Sequence, residues 1–165
     1  KKEMEAGEEV LSAAAMKIKK HYPDIDVSVH APQELLMIPM DVILIEQVLI
    51  NLMENAVQHG KTTTKIELRL SSTGGFAVFE VADNGCGIEK ELLPHLFEGY
   101  LTRDHEEISD QRCNMGIGLS VCMSIVQAHG GTMRAKNRKK GGALLQFTLP
   151  LEEISHEYQR EGSSN

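Results

Sequence analysis

Cysteine is scarce in this chain of 165 residues: Cys86, Cys113 and Cys122 are the three present, and no two of them make a Cys-x-x-Cys pair. An odd number without ligand spacing argues against a disulfide or zinc framework and fits a reducing cytoplasm. Basic charge is also short. Seventeen Lys and Arg stand against 24 Asp and Glu, giving a formal charge of −7 and a pI near 5.5. General nucleic-acid binding needs a basic face to neutralise phosphates, so that class is disfavoured. No apolar run approaches the ~20 residues that span a bilayer, and the opening Lys1-Lys2-Glu3 is not a signal peptide. That abrupt start suggests a piece of something larger. The seven histidines are scattered without ligand spacing, so no metal site made of protein ligands alone is expected. What is present, 41% hydrophobic and 25% charged residues, can bury one core but is too short for two ordinary domains.

Apolar periodicity gives an α/β order. Leu11, Ala14 and Ile18 recur at helical spacing, and Pro23-Asp24 closes that helix. Ile25, Val27 and Val29 alternate with Asp26 and Ser28 as a strand. A second helix opens at Asp41, a suitable N-cap, and runs to Gly60. Ile66, Leu68 and Leu70 alternate with charged residues, a turn follows over 71–75, and residues 76–82 return as the partner strand of a hairpin. A short helix is predicted over 89–97 and a further one over 118–129, ending at Gly130-Gly131. Strands over 132–137 and 143–149 complete the set. Between the last two helices, residues 98–114 are polar without a convincing apolar period, and a loop that long in a compact domain is usually functional or mobile. Mixed strands with helices on one face predict a two-layer α/β (α+β) sandwich.

The second helix carries polar residues in a pattern that asks for a partner. Asn51, Asn55 and Gln58 fall at i, i+4 and i+7 and line one face. Ile45, Val48, Leu52 and Ala56 make an apolar stripe on one side of them, and Ile43, Ile50 and Val57 make another opposite. Amides wedged between two apolar stripes need partners if buried, because an unpaired buried amide costs roughly 1–3 kcal/mol. Backbone or water can supply them. So can a Mg²⁺–phosphate group, since amide carbonyls are hard oxygen ligands.

Downstream, Asp83 continues the strand face of Ala77, Phe79 and Val81, so an apolar face ends in a carboxylate. The exocyclic amine of adenine is a suitable donor for it; an Asx turn is the plainer alternative. Gly85 and Gly87 allow a sharp turn and a close approach to a flat base. Gly116-Ile117-Gly118 stands just before the predicted 118–129 helix, where free backbone N–H groups and the positive dipole end suit phosphates. There is neither a Walker A lysine motif nor Rossmann spacing. In this order the pieces describe an ATP pocket.

The set resembles the catalytic and ATP-binding domain of sensor histidine kinases, in the Bergerat-fold superfamily shared with gyrase, Hsp90 and the mismatch-repair ATPases. Residues 49–59 look like its N box, 83–88 its G1 box, 97–100 its F box and 116–120 its G2 box. His129-Gly130-Gly131-Thr132 and Phe147-Thr148-Leu149-Pro150 resemble its closing elements. The wording of residues 45–57, with Pro39-Met40-Asp41 before it, is most similar to the potassium-responsive Kdp-type sensor kinases. The resemblance implies one domain over 1–151 with an ATP lid at about 98–115, followed by a frayed tail over 152–165. It implies ATP and Mg²⁺, with Asn55 coordinating the metal and Asn51 supporting metal and phosphates. Glu54 adjoins that face as polar support or a weaker candidate base. Asp83, Gly85, Gly87 and Ile88 would meet the base. Gln58, His59, Tyr100 and Thr148 would lie along the nucleotide, with Arg103 or Arg112 as a lid cation. Gly116, Ile117, Gly118 and Leu119 would meet the phosphates.

Two departures matter: Gln58 stands where family members often carry a phosphate-binding lysine, and His59 where they carry a tyrosine. Asn51 chooses within the superfamily. Hydrolysing relatives and serine kinases place a glutamate base there, whereas a neutral histidine acceptor has a free lone pair and needs only positioning and charge neutralisation. His105-Glu106 and His156-Glu157 superficially resemble an acceptor box but lack a proline five residues on. The expectation is therefore a histidine kinase catalytic domain that phosphorylates a histidine on a separate dimerisation and phosphoacceptor domain, serving a response regulator. It would be a cytoplasmic domain, not itself in the membrane, of a membrane-bound bacterial sensor kinase. A degenerate nucleotide-binding or interaction module stays open because of Gln58. An ATP-hydrolysing clamp is disfavoured by Asn51.

Overall fold

The computed structural model describes residues 1–97 and 110–152, with the side chains of 110–117 excepted. Among the described residues the elements follow one another as β1 (Glu3–Ala6), α1 (Gly7–His21), β2 (Asp26–His30), β3 (Met37–Met40), α2 (Val42–His59), β4 (Lys65–Thr73), β5 (Phe76–Asp83), a 3₁₀ turn (Leu93–His95), α3 (Asp110–Ala128), β6 (Met133–Asn137) and β7 (Ala143–Pro150). Five strands form a mixed sheet in the order β2-β4-β5-β7-β6, and β1 pairs with β3 in a separate ribbon. Only the β2–β4 pair of the larger sheet is parallel; the other three pairs are antiparallel.

Period-two alternation sorts that sheet into two faces. Ile66, Leu68, Phe79, Val81, Leu145 and Phe147 are buried in one cluster with Leu11 and Ile18 of α1 and Leu49 and Leu52 of α2. The Phe79 and Phe147 rings stack at 4.7 Å between centroids, 7° from parallel. Intervening residues such as Lys65, Arg69, Arg134 and Lys136 are exposed. The result is the expected two-layer sandwich. Asp41 caps α2, its Oδ1 accepting from the Leu44 N–H at 3.2 Å.

Several local expectations are corrected. The 89–97 helix reduces to one 3₁₀ turn, because Pro94 has no amide hydrogen and disfavours helical backbone in the residue before it. The β4 strand runs on to Thr73, so the hairpin turns at Gly74-Gly75 alone. The β1–β3 ribbon had no clear sequence signal: both strands are four residues long, and β3 contains Pro39. Ile43 of the second stripe is 77% exposed, while Ile50 and Val57 pack partly against the core. Most consequentially, α3 begins at Asp110 rather than at 118. Gly116 and Gly118 fall inside it. A glycine costs a helix only about 1 kcal/mol relative to alanine, which neighbouring turns can carry. Among the described residues, no helix is long and apolar enough to cross a membrane.

Candidate functional site

A cleft opens between the C-terminal half of α2, the end of β5 and α3. Its apolar walls come from Ala56, Ile88, Leu96, Leu119, Ala143 and Leu145, and its polar lining from Asn55, His59 and Asp83. A flat, mostly apolar ligand with a few hydrogen-bonding groups suits such a lining.

Asp83 is 5% exposed and closes the inner face of β5, as its alternation with Ala77, Phe79 and Val81 requires. Its Oδ1 accepts from the Gly85 N–H at 2.8 Å and the Ala143 N–H at 3.3 Å. The Asx turn, the plainer of the two sequence readings, is therefore present, and it occupies one carboxylate oxygen. Burial pushes the carboxyl above its ordinary value, against the pull of the two N–H donors and the Arg138 charge. A buried carboxylate in this state gains from a further donor on its other oxygen.

The glycine run after Asp83 has steric causes. A Cβ on Gly85 would lie 2.7 Å from both Cα and O of Gly60, so this glycine lets the loop pack against the end of α2. There the Cys86 N–H donates to the Gly60 carbonyl at 2.9 Å. Gly87 adopts φ +82°, which favours glycine. Gly87 and Ile88 line the cleft, whereas Gly85 faces Gly60.

On α2, Asn55 and His59 stand one turn apart and both line the cleft. Asn55 Nδ2 and His59 Nε2 are buried without a hydrogen-bond partner. Burial holds the His59 imidazole below its usual range. Orphaned polar atoms inside a cleft favour a polar ligand there. Asn51 is placed otherwise. Its Nδ2 reaches Cys122 Sγ at 3.7 Å and its Oδ1 accepts from Gln47 Nε2 at 3.1 Å, which ties α2 to α3. Glu54 is half-buried on the same helix and does not line the cleft.

Three further sequence candidates sit away from the cleft. Gln58 is exposed, its Nε2 donating to the Tyr22 hydroxyl at 3.5 Å, because it lies about 60° round the helix from Asn55. Thr148 lies on the opposite sheet face from Asp83, bonded to the Thr132 N–H at 3.1 Å; the buried positions of β7 are Ala143, Leu145, Phe147 and Leu149. Gly118 lies within α3 with open space around its Cα, so its amide does not begin a helix. Leu119, next to it, is fully buried and lines the cleft. Tyr100, Arg103, His105-Glu106, His156-Glu157, most of the expected lid and nearly all of the tail lie outside the described residues, as do the side chains of Arg112 and Ile117 and the surroundings of Gly116.

Sequence reasoning placed both strands of the β6–β7 hairpin but missed the contacts its turn makes with the site. Asn137 clamps Ile88, accepting from its N–H at 2.7 Å and donating to its carbonyl at 2.8 Å. Arg138 Nη1 donates to the Asp83 carbonyl at 2.8 Å. These partners are 49 to 55 residues apart in sequence, beyond any local pattern.

A two-layer sandwich with this cleft, set between an asparagine-bearing helix and the end of a mixed sheet, defines a class of ATPase fold. The chain belongs to the histidine kinase-, DNA gyrase B- and HSP90-like ATPase family, whose profile matches residues 40–153. It is 40% identical over 152 residues to the sensor protein KdpD of Clostridium acetobutylicum, which covers 92% of this chain but only 17% of that protein. The fold is similar to the catalytic domain of the histidine kinase ThkA, with a TM-score of 0.77 and 25% identity over 92% of this chain and 96% of that one. It is also similar to the ATP binding domain of PrrB from Mycobacterium tuberculosis, with a TM-score of 0.75 and 27% identity over 92% of this chain and 98% of that one. The chain is thus a sensor-kinase type of histidine kinase catalytic domain, spanning less than a fifth of its curated relative.

Proposed function

We propose that residues 1–151 bind ATP with Mg²⁺ and donate the γ-phosphoryl group to a histidine on a separate dimerisation and phosphoacceptor domain of a two-component sensor kinase. A response regulator would be the next acceptor, and the domain would work on the cytoplasmic side of a membrane-bound bacterial kinase. The observation that carries the reading is the buried Asp83 carboxylate at the end of an apolar strand face, with the orphaned Asn55 and His59 atoms in the same cleft.

The parts have separable tasks. Asp83 accepts from the adenine amine with the oxygen that the Asx turn leaves, while Ile88, Leu96, Ala143 and Leu145 cover the apolar ring. Asn55 fits a Mg²⁺ ligand: a half-turn of its amide places a hard oxygen where the orphaned nitrogen now stands. When bound, Mg²⁺ supplies charge neutralisation on the phosphates. Asn51 acts as a brace, since its oxygen is engaged by Gln47 and its nitrogen by Cys122. An amide at position 51 takes no proton from water, which favours transfer to a nucleophile that needs no base.

The degenerate-module reading rests on Gln58. That residue turns toward Tyr22 and solvent, so the missing lysine charge is lost from the helix surface and not from the cleft lining. Incubation of the domain with γ-labelled ATP and a supplied phosphoacceptor domain decides between the two. Label on the acceptor histidine is expected; tight ATP binding with no transfer to any acceptor would establish the degenerate module.

A further inference from the structure

The β6–β7 hairpin stands apart electrostatically in an acidic chain. Arg134, Lys136, Arg138, Lys139 and Lys140 all fall between positions 134 and 140, without an acidic residue among them. Four of these are exposed or extend over the outer face; Arg138 alone turns inward and is half-buried. Its Nη1 donates to the Asp83 carbonyl oxygen at 2.8 Å, and its own backbone N–H donates to the Gly142 carbonyl at 2.8 Å. The next residue, Ala143, gives its N–H to the Asp83 carboxylate. The residue before Arg138, Asn137, holds Ile88 at both N–H and carbonyl. One hairpin thus grips both ends of the 83–88 loop, and its inward cation sits on the residue that the proposed function uses to read the base.

We propose that Arg138 is a positioning residue for nucleotide recognition: its guanidinium fixes the Asp83 peptide and keeps a positive charge beside the carboxylate, so that the loop presents a charged acceptor to the amine of the ligand. This rests on Asp83 being the base-reading group. The chemistry is direct. A carboxylate in an apolar cleft tends to take up a proton, and a protonated carboxyl loses most of its power as an acceptor. Two backbone N–H groups and a nearby guanidinium oppose that tendency and limit the rise that burial imposes. Arginine suits the task because it stays charged across the working pH range and its planar fork can bond a carbonyl while its charge acts on the neighbouring carboxylate.

Among the described residues the other groups around Asp83 are few. His59 faces the cleft from α2, Cys86 lies in the loop itself, and Lys65 and Glu67 flank Ile66, the cross-strand neighbour of Asp83 on β4. Lys65 is 3.7 Å from Glu67 and Arg69 is 2.9 Å from it, so the β4 charges largely answer one another on the outer face. His59 titrates in every variant and cancels in a comparison between them.

The test measures ADP and GDP affinity by calorimetry from pH 5 to 8, without magnesium, for the parent, Arg138→Gln, Arg138→Lys and Asp83→Asn. Affinity for ADP is expected to fall on acidification as Asp83 takes up its proton. Removing the positive charge moves that fall to higher pH, so Arg138→Gln should bind ADP more weakly than the parent at the acid end of the range, with a smaller deficit at pH 8. It should also lose part of the preference for ADP over GDP. Arg138→Lys should return the profile toward that of the parent. An Arg138→Gln variant whose affinity drops equally at every pH, with unchanged preference for ADP, would show a purely structural hairpin contact and overturn the proposal. Parental ADP binding by Asp83→Asn would instead overturn the base-reading role on which the proposal rests.

Discussion

Replacing Asp83 by asparagine separates stability from recognition more sharply than any other change in this domain. The two side chains have nearly the same shape, and the amide oxygen of asparagine can keep the bonds from the Gly85 and Ala143 N–H groups. The second oxygen becomes an NH₂, a donor facing the donor amine of adenine. One charge-assisted hydrogen bond is lost and two donors are opposed in a cleft walled by apolar side chains, a change worth about 3 kcal/mol or roughly a hundredfold in affinity. Stability should move the other way. Burial raises the Asp83 carboxyl above its ordinary value, so the folded chain holds that proton more firmly than the unfolded one. The group favours folding below the unfolded-state pKa of about 3.9, and this contribution is lost as pH rises through the raised folded value. As pH rises the parent takes on the cost of a buried carboxylate and the variant carries none. Asp83→Asn should therefore melt at a higher temperature than the parent at pH 7.5, with the gap closing as pH falls toward 4. Thermal melts across pH, with ADP and GDP titrations, check both halves. A variant that binds ADP like the parent would refute the recognition argument. One that melts lower at every pH would refute the account of the buried charge.

Asn55→Ala removes a buried amide nitrogen without a partner and adds the best helix former, so the free domain should gain about 1 kcal/mol while nucleotide affinity falls in magnesium and much less in EDTA. Gly85→Ala puts a methyl 2.7 Å from the Gly60 backbone, which no side-chain rotation can relieve; a loss of about 2 kcal/mol or more in denaturant melts is expected, with weaker ADP binding as the loop shifts. Gln58→Ala should leave ADP affinity within about twofold of the parent in calorimetry, because Gln58 is exposed and turned toward Tyr22.

The sequence by itself determined what depends on local periodicity. Alternation along β5 placed Asp83 on the inner face, and the 3.6-residue period placed Asn55 with Asn51 on one side of α2. The same alternation along β7 assigns Thr148 to the outer face, away from the cleft. Other features depend on which elements pack together. A helical wheel sets Gln58 and His59 on opposite flanks of Asn55, but only the placement of β5 and α3 decides that the His59 flank faces the cleft. Whether Gly118 begins a helix or lies inside one depends on a balance of about 1 kcal/mol per glycine, which local pattern does not settle. Tertiary structure alone brings Asn137 and Arg138 to the 83–88 loop, across 49 and 55 residues of chain. A long-range hydrogen bond leaves no period in the sequence, because its partners are matched by strand order and register and not by spacing along the chain.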